Sequence, residues 1–525
     1  MIAMSQANVL ERLKNLWCTL LGAQAIEGQD MWFALGGNSI LLVRLVAEIE
    51  DAFGVQLEVA DVLQAPSVSE VAELIAASLR SPSLHPKMRA LGHTKKRIAE
   101  SQERHYVFTS DRPRVYNIWY EAQLHGELDP VRLARSFDEA VANNGVFRYV
   151  FSREDEGIFA IPVSNVPRMQ LIDLREAPAK SQQERLSCTR SRMVDSEFDL
   201  WSAPAYRAEF VWTSSVEGTL FFWANHILLD AQSFGMFIAE IFARYAGSPV
   251  LHKRLDFYDF AVWERENLPA TDSAVLQSYW RSRLSPYRKV LMFSRRSRPE
   301  TYISQAVSSN VSVNDSEVIN FLRGAAVPAC PPSTKVLASI ALSVFAEFGE
   351  RPLAFLYPVE IRDYPDAFDI VGNFLQFNIF VIDPGQDGTV QDWLEEHGGQ
   401  LVADIQHRRL YLTDKEALLP AAIHGYGKCQ LRFQFFDQSL EKQTSQVGNI
   451  VLEPRPVPFK MAIADVGFYV FMRSSAVDIQ ILYSEGLFSE AVAQKLLMRV
   501  DNALKRMSVG WHLPLATIRE QLRTS

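Results

Sequence analysis

The stretch Phe221–Met236, FFWANHILLDAQSFGM, decides how most of this chain is read. Its first half is an apolar, aromatic run suited to an interior strand. The run ends in Asn225-His226, and Asp230 and Ser233 follow where SFGMFIAEIFARYAG (233–247) takes on helical spacing. A lone histidine on an apolar strand is usually a satisfied core residue, so this segment alone leaves its role open. Around it the same alternation repeats: helix LDPVRLARSFDEAVANN (128–144), strand VFRYVFSRED (146–155), helix TKVLASIALSVFAEFG (334–349), strands PLAFLYPVEI (352–361) and FLQFNIFVI (374–382), and helix EAVAQKLLMRVDNALKRM (490–507). The pattern predicts an α/β protein of two lobes, dividing near 270–290.

At 525 residues the chain exceeds one hydrophobic core. It is 48% hydrophobic and 22% charged, the composition of a soluble globular protein. A formal charge of -9 argues against nucleic acid or an anionic membrane surface as the main partner. No apolar run approaches the roughly 18 residues of a membrane span. The start, MIAMSQANVLERLKNLW, lacks a basic segment followed by an apolar block, so a cytoplasmic location is expected. Cys18, Cys188, Cys330 and Cys429 lie far apart and read as reduced thiols rather than metal ligands. With neither a glycine-rich phosphate loop nor an HExxH segment, phosphate-loop and zinc mechanisms are improbable, and no metal is expected.

Composition shifts once. RSPSLHPKMRALGHTKKR (80–97) holds six Lys or Arg, two Pro and no acid, as a solvated linker would. The division read from this is a small domain at 1–79, a basic linker at 80–97, and lobes at 98–275 and 276–525. In the small domain, ANVLERLKNLWCTLL (7–21), SILLVRLVAEIEDAFG (39–54) and SVSEVAELIAASL (67–79) have helical spacing. The second ends at Gly54, and the third opens on a Ser67–Glu70 capping-box pattern. Three or four short helices make a small bundle.

Between the first two helices lies MWFALGGNSILLVRL (31–45), which resembles the FFxLGGxS signature of carrier domains in nonribosomal peptide synthetases. The resemblance runs on through FGVQL and VLQAPSVSEVAELI and covers the whole small domain. It implies an all-α four-helix carrier bundle with 4′-phosphopantetheine on Ser39. A phosphodiester at a helix N-terminus meets free N–H groups and the positive dipole end. Asn38 stands where the family often has Asp or His.

Downstream, the chain resembles the condensation domains of the same synthetases. ESQERHYVF (100–108), FDLWSAPAYRAEF (198–210), DFYDFAVWERENL (256–268) with YWRSRL (279–284), and IVGNFLQFN (370–378) each match a family block. The resemblance implies a chloramphenicol-acetyltransferase-like pair of lobes around a tunnel, with a carrier docking at each mouth. The family signature HHxxxDG falls on Asn225-His226-Ile-Leu-Leu-Asp230-Ala231, keeping the second histidine and the aspartate. Against the heterocyclising DxxxxDxxS signature, the same stretch gives Asn225, Asp230 and Ser233.

The resemblance makes His226 the residue that orients or deprotonates the attacking nucleophile. Asp230 is then architectural and paired with Arg362 of FLYPVEIRDYP (355–365), since a buried carboxylate needs a partner. Asn225 can hydrogen-bond but not titrate. Ser233 is either the N-cap of the helix that follows or a second active-site hydroxyl. Gln376 replaces a family asparagine, Arg148 and Gln102 read as packing or bridging groups, and His252, His397 and His424 read as surface residues. The implied function is amide or ester formation from a carrier thioester. Heterocyclisation, epimerisation and a non-catalytic docking scaffold are the alternatives. The implied partners are an adenylation domain upstream or in trans, a phosphopantetheinyl transferase, and a downstream carrier or a soluble amine or alcohol as acceptor.

Overall fold

The computed structural model describes residues 6–523, apart from 33–34, 36, 38, 56, 58–60, 63–64, 66, 79–86, 112–115, 268–269, 288, 292–305, 325–326, 328–329, 363, 386–387, 411–414, 416, 420–430, 439–444, 456–463 and 485–488. At the N-terminal end, α1 (Gln6–Leu21), α2 (Ser39–Phe53) and α3 (Val68–Ser78) close around Val9, Leu13, Trp17, Leu45, Ile49, Val71 and Ile75. These positions recur every three or four residues, so each helix turns one apolar stripe inward. Trp17 and Trp32 meet edge to face at 4.8 Å and fill the centre.

The remainder folds on two six-stranded sheets. The first, in spatial order, comprises β12 (Ser445–Val447), β13 (Ile450–Pro454), β2 (Asn117–Gly126), β7 (Glu217–Asn225), β6 (Tyr206–Ser214) and β5 (Gln170–Asp173). The second comprises β10 (Leu375–Ile382), β9 (Leu353–Glu360), β11 (Leu431–Asp437), β14 (Val466–Met472), β15 (Val477–Ser484) and β8 (Ala306–Val313). A three-stranded sheet of β1 (Lys96–Arg97), β4 (Gly157–Pro162) and β3 (Tyr149–Glu154) flanks the first. Helices α4 (Glu100–Asp111), α5 (Pro130–Asn143), α6 (Ala179–Asp195), α7 (Ala231–Ala246) and α8 (Phe257–Asn267) belong to the first lobe by sequence. The second lobe carries α9 (Ala270–Leu284), α10 (Ser316–Arg323), α11 (Pro332–Phe348), α12 (Val390–Gln406), α13 (Glu490–Gly510) and α14 (Leu515–Arg523).

Two boundaries differ from the sequence-based division. Lys96 and Arg97, assigned to the linker, pair with Ala160 and Phe159. The Lys96 ammonium is buried 2.7 Å from Asp259 and 3.5 Å from Asp256, carboxylates too distant in sequence for composition to reveal. The second departure is larger. Strand β13 pairs antiparallel with β2 from Ile450↔Gly126 to Pro454↔Ala122, so a segment from the second half completes the first lobe's sheet. Residues of 361–374, apart from 363, cross as well, with Ile361, Ala367, Ile370, Val371 and Phe374 buried in the first lobe's core.

Candidate active site at the junction of the lobes

Strand β7 is buried along nearly its whole length and ends at Asn225, opposite Asn117 of β2. Asn225 is fully buried and turns the chain: its Oδ1 accepts from Ile227 N at 3.0 Å, and its carbonyl accepts from Leu228 N at 3.1 Å. Its backbone N–H donates to Ala205 O at 2.8 Å. Those bonds make it the residue that ends the strand and aims the next one.

That next residue is His226. Its backbone N–H donates to Tyr116 O at 2.6 Å, and its carbonyl accepts from Asn373 Nδ2 at 2.7 Å. Its Nδ1 is buried with no hydrogen-bond partner among the described residues. Burial is the main force pushing the imidazole below its ordinary pKa of 6.5, with the charge of Arg432 adding to it. Its own carbonyl, the Leu229 carbonyl and Asp230 pull the other way. The net result is a ring that is neutral near pH 7 and has a lone pair to offer.

Asp230 and Ser233 form a lock between the lobes. Asp230 is the N-cap of α7, its Oδ1 accepting from Ser233 N at 2.7 Å. The Asp230 Oδ2 accepts from Phe374 N at 2.8 Å and from Arg362 Nη2 at 3.4 Å, and Asp230 N donates to Gly372 O at 3.1 Å. Arg362 Nη2 donates more closely to Ser233 Oγ, at 2.7 Å, and Gly372 N reaches the same oxygen at 3.0 Å. The cap is therefore Asp230 rather than Ser233, and the Ser233 hydroxyl is an acceptor inside the lock. Arg362 also donates to Glu360 at 2.8 Å and to the carbonyls of Ala367, Phe368 and Ile370, with its guanidinium 4.1 Å from the Phe374 ring centroid. Gly372 is needed here, because a Cβ would fall 1.9 Å from the Phe257 ring.

Other sequence-based candidates are dispersed. Gln102 donates to Ile227 O at 2.9 Å and so bridges α4 to the site, while Arg148 contacts His93 at 2.8 Å away from it. Gln376 is buried on β10, and His252 is exposed. His397 is not a surface residue: it is buried on α12 beside Trp393 and Phe380, its Nδ1 2.9 Å from Trp393 O. His424 and Cys429 lie outside the described residues; Cys18, Cys188 and Cys330 are free thiols. Two residues of the site were not legible in the sequence, His105 and Asn373. His105, on the buried side of α4, stacks on His226 with ring centroids 5.2 Å apart and planes at 30°. Its one sequence signal is a histidine inside a block otherwise matched for its Gln and Arg.

A cavity of about 230 Å³ opens beside the lock, between Asp230–Gln232 and the ends of β9 and β11. It is lined mainly by apolar groups such as Leu337, Val359, Leu375 and Phe433. The small bundle rests against this junction. Arg44 of α2 lies 4.9 Å over the Phe368 ring, and Val402 of α12 joins the bundle's core.

A condensation-domain family model matches residues 94–520. The chain belongs to this family. A phosphopantetheine attachment site matches 11–75, so the arrangement is that of a nonribosomal peptide synthetase: a carrier followed by a condensation domain. A linear gramicidin synthase of Brevibacillus parabrevis is 26% identical over 315 residues, covering 58% of this chain and 6% of that protein. Malpinin synthetase of Mortierella alpina is 22% identical over an alignment of 532 residues, covering 97% of this chain and 7% of that protein. The chain thus spans a small part of the curated relatives it matches. Among solved structures, the X-domain complexed with OxyB from teicoplanin biosynthesis superposes with a TM-score of 0.68 at 17% identity, over 83% of this chain and 99% of that one. Family membership supports an acyltransferase-type, amide-forming role for the condensation domain. The carrier is the site of covalent 4′-phosphopantetheine attachment.

The residues present fit that group. Ser39 is the first residue of the 15-residue helix α2, whose opening N–H groups have no partner within the helix. Gly37 N donates to Trp32 O at 2.9 Å, and a Cβ on Gly37 would fall 2.4 Å from the indole nitrogen. The indole thereby packs directly on bare backbone just before the helix. Among the described residues no cluster of side chains is arranged to hold a metal ion, and no helix is long and apolar enough to cross a membrane.

Proposed function

We propose that this chain transfers an acyl group from its carrier, modified at Ser39, to an amine or hydroxyl acceptor. When bound, the phosphopantetheine thiol holds the acyl group as a thioester, already activated toward attack. His226 accepts the proton that the nucleophile loses, or holds an amine by hydrogen bond as it attacks. Asp230, Ser233 and Arg362 hold the β7–α7 turn against the second lobe, and Asn225 fixes the turn that presents the imidazole. The observation that carries this reading is a neutral imidazole held by its own backbone at the lobe junction, four residues before Asp230, which lines the apolar cavity. Loading is assigned to an adenylation domain upstream or in trans, after modification by a phosphopantetheinyl transferase. The acceptor is a downstream carrier or a soluble amine or alcohol, and the proposed division is 1–79, a linker at 80–97, and lobes at 98–275 and 276–525, with Lys96-Arg97, β13 and residues of 361–374 packed into the first lobe.

The test is single-turnover transfer from the acetyl-loaded chain to a panel of amines, alcohols and thiols. His226→Ala is expected to lower the rate by about 10²–10⁴-fold, the range of a general base. Wild-type rates in that variant would leave the docking scaffold as the better account. Ser39→Ala is expected to abolish the mass gain from coenzyme A and a phosphopantetheinyl transferase.

A further inference from the structure

Resting on the acyl-transfer reading above, we infer that His105 is a positioning residue for His226, acting through Asn373. His105 is 1% exposed on α4 and packs on both residues that bond the backbone of His226, Tyr116 and Asn373. Its ring stacks on the His226 ring at 5.2 Å. It meets the Tyr116 ring edge-on at 5.7 Å, and Tyr116 O is the acceptor for the His226 N–H. Its Nδ1 lies 3.2 Å from Asn373 Nδ2, the same amide nitrogen that donates to the His226 carbonyl at 2.7 Å. Both backbone groups of His226 are therefore held by residues that pack on His105. Where the resembling signature has a histidine before His226, this chain has Asn225, and the second imidazole comes from another element.

The chemistry of the His105 ring distinguishes positioning from mere filling. Its Nδ1 also lies 3.0 Å from Ser101 O, so it faces one acceptor and one donor. In the tautomer that carries its proton on Nε2, Nδ1 accepts from Asn373 and the amide's other N–H stays on the His226 carbonyl; in the other tautomer Nδ1 donates to Ser101 O and the Asn373 contact is lost. Burying an imidazole costs desolvation that a leucine of similar volume would not. What the ring adds is that acceptor, and with it a fixed direction for His226. Displacing a reacting group by about 1 Å costs roughly 10²-fold in rate, so a modest loosening is measurable.

The experiment uses the full chain. In the unloaded protein, the ring signals of His226 in labelled-histidine NMR are identified by their loss in His226→Ala. Beyond the shift that loss of the stacked ring causes in either His105 variant, they are expected to broaden in His105→Leu and Asn373→Ala and to stay sharp in His105→Gln, whose side-chain oxygen can accept from Asn373. In the acetyl-loaded chain with n-butylamine and n-butanol as acceptor probes, His105→Leu is expected to lower the maximal rate about tenfold at nearly unchanged acceptor KM. His105→Gln should recover most of it, and His105→Leu should cost little more in an Asn373→Ala background. His226 signals that stay sharp in both His105→Leu and Asn373→Ala, or a His105→Gln as slow as His105→Leu, would overturn the role. A full rate in His226→Ala would sink the transfer reading instead, whatever the NMR signals of His105 variants show.

Discussion

Burial, more than any single neighbour, keeps His226 uncharged. Transfer that needs the neutral ring should hold steady as pH falls through the ordinary imidazole value of 6.5, and decline only below it. The guanidinium of Arg432, buried on β11, contributes to that depression. Arg432→Met removes a positive charge, raises the His226 pKa, and should move the acid limb of the rate profile to higher pH. A limb that stays put would mean that Arg432 does not act on the ring. At Asp230 and Arg362, one oxygen and one nitrogen serve several partners, so Asp230→Asn or Arg362→Gln leaves buried groups unmatched. Each is expected to cost about 3–5 kcal/mol and to lower the melting temperature, which thermal denaturation reads directly. His226, Asp230 and Arg362 were legible in the sequence because their spacing is local or carried by a family block. Ser233 was ambiguous because a hydroxyl near a helix start serves as cap, acceptor or nucleophile alike, and only Arg362 and Gly372, far along the chain, decide which. His105 was missed for the same reason: nothing near it in sequence announces His226 as its neighbour.

Among the elements, the described residues of 361–374 contain little regular structure, a single 3-10 turn at Pro365–Ala367, yet reach both the small bundle and the site. Phe368 receives Arg44 of α2 on one side, while Asn373 and Phe374 bond His226 and Asp230 on the other. Phe368→Ala is therefore expected to slow transfer from the acyl-loaded carrier several-fold, yet leave transfer from a free acyl-pantetheine thioester unchanged. Equal losses with both donors would place the effect in the site rather than in docking. Helices were the most legible elements, since apolar spacing such as that of Val9, Leu13 and Trp17 directly marks a buried face. Strands at the margins were not. Lys96-Arg97 reads as linker because its compensating carboxylates, Asp256 and Asp259, lie far along the chain. The short β12 and β13 carry no signal saying which sheet they will join.

For the molecule as a whole, two buried carboxyls hold their protons more tightly than usual, one where the lobes meet and one within the second lobe. Glu264 of α8 faces Arg409 at 3.1 Å, and burial pushes its pKa from 4.5 up to about 7 against the pull of that arginine. Asp404, beside Tyr279 and Arg283, is raised from 3.8 to about 6. A carboxyl that holds its proton more tightly when folded favours the folded state below its unfolded pKa, and that contribution is lost as pH rises through the folded value. The contribution of these two groups to the melting temperature should therefore fall between about pH 4 and pH 7, and Glu264→Gln should flatten part of the slope; an identical slope would remove Glu264 as a cause. The pairing of β13 with β2 bears on how the chain is made. Synthesis runs from the N-terminus, so β2, β7, β6 and β5 all leave the ribosome well before Ile450–Pro454 does. Until then one edge of β2 is an open row of N–H and C=O groups, ready to pair with the wrong strand. The nascent first lobe must wait for the second, and a ribosome stalled before residue 450 would hold a sheet that nearby chains or a chaperone can cap.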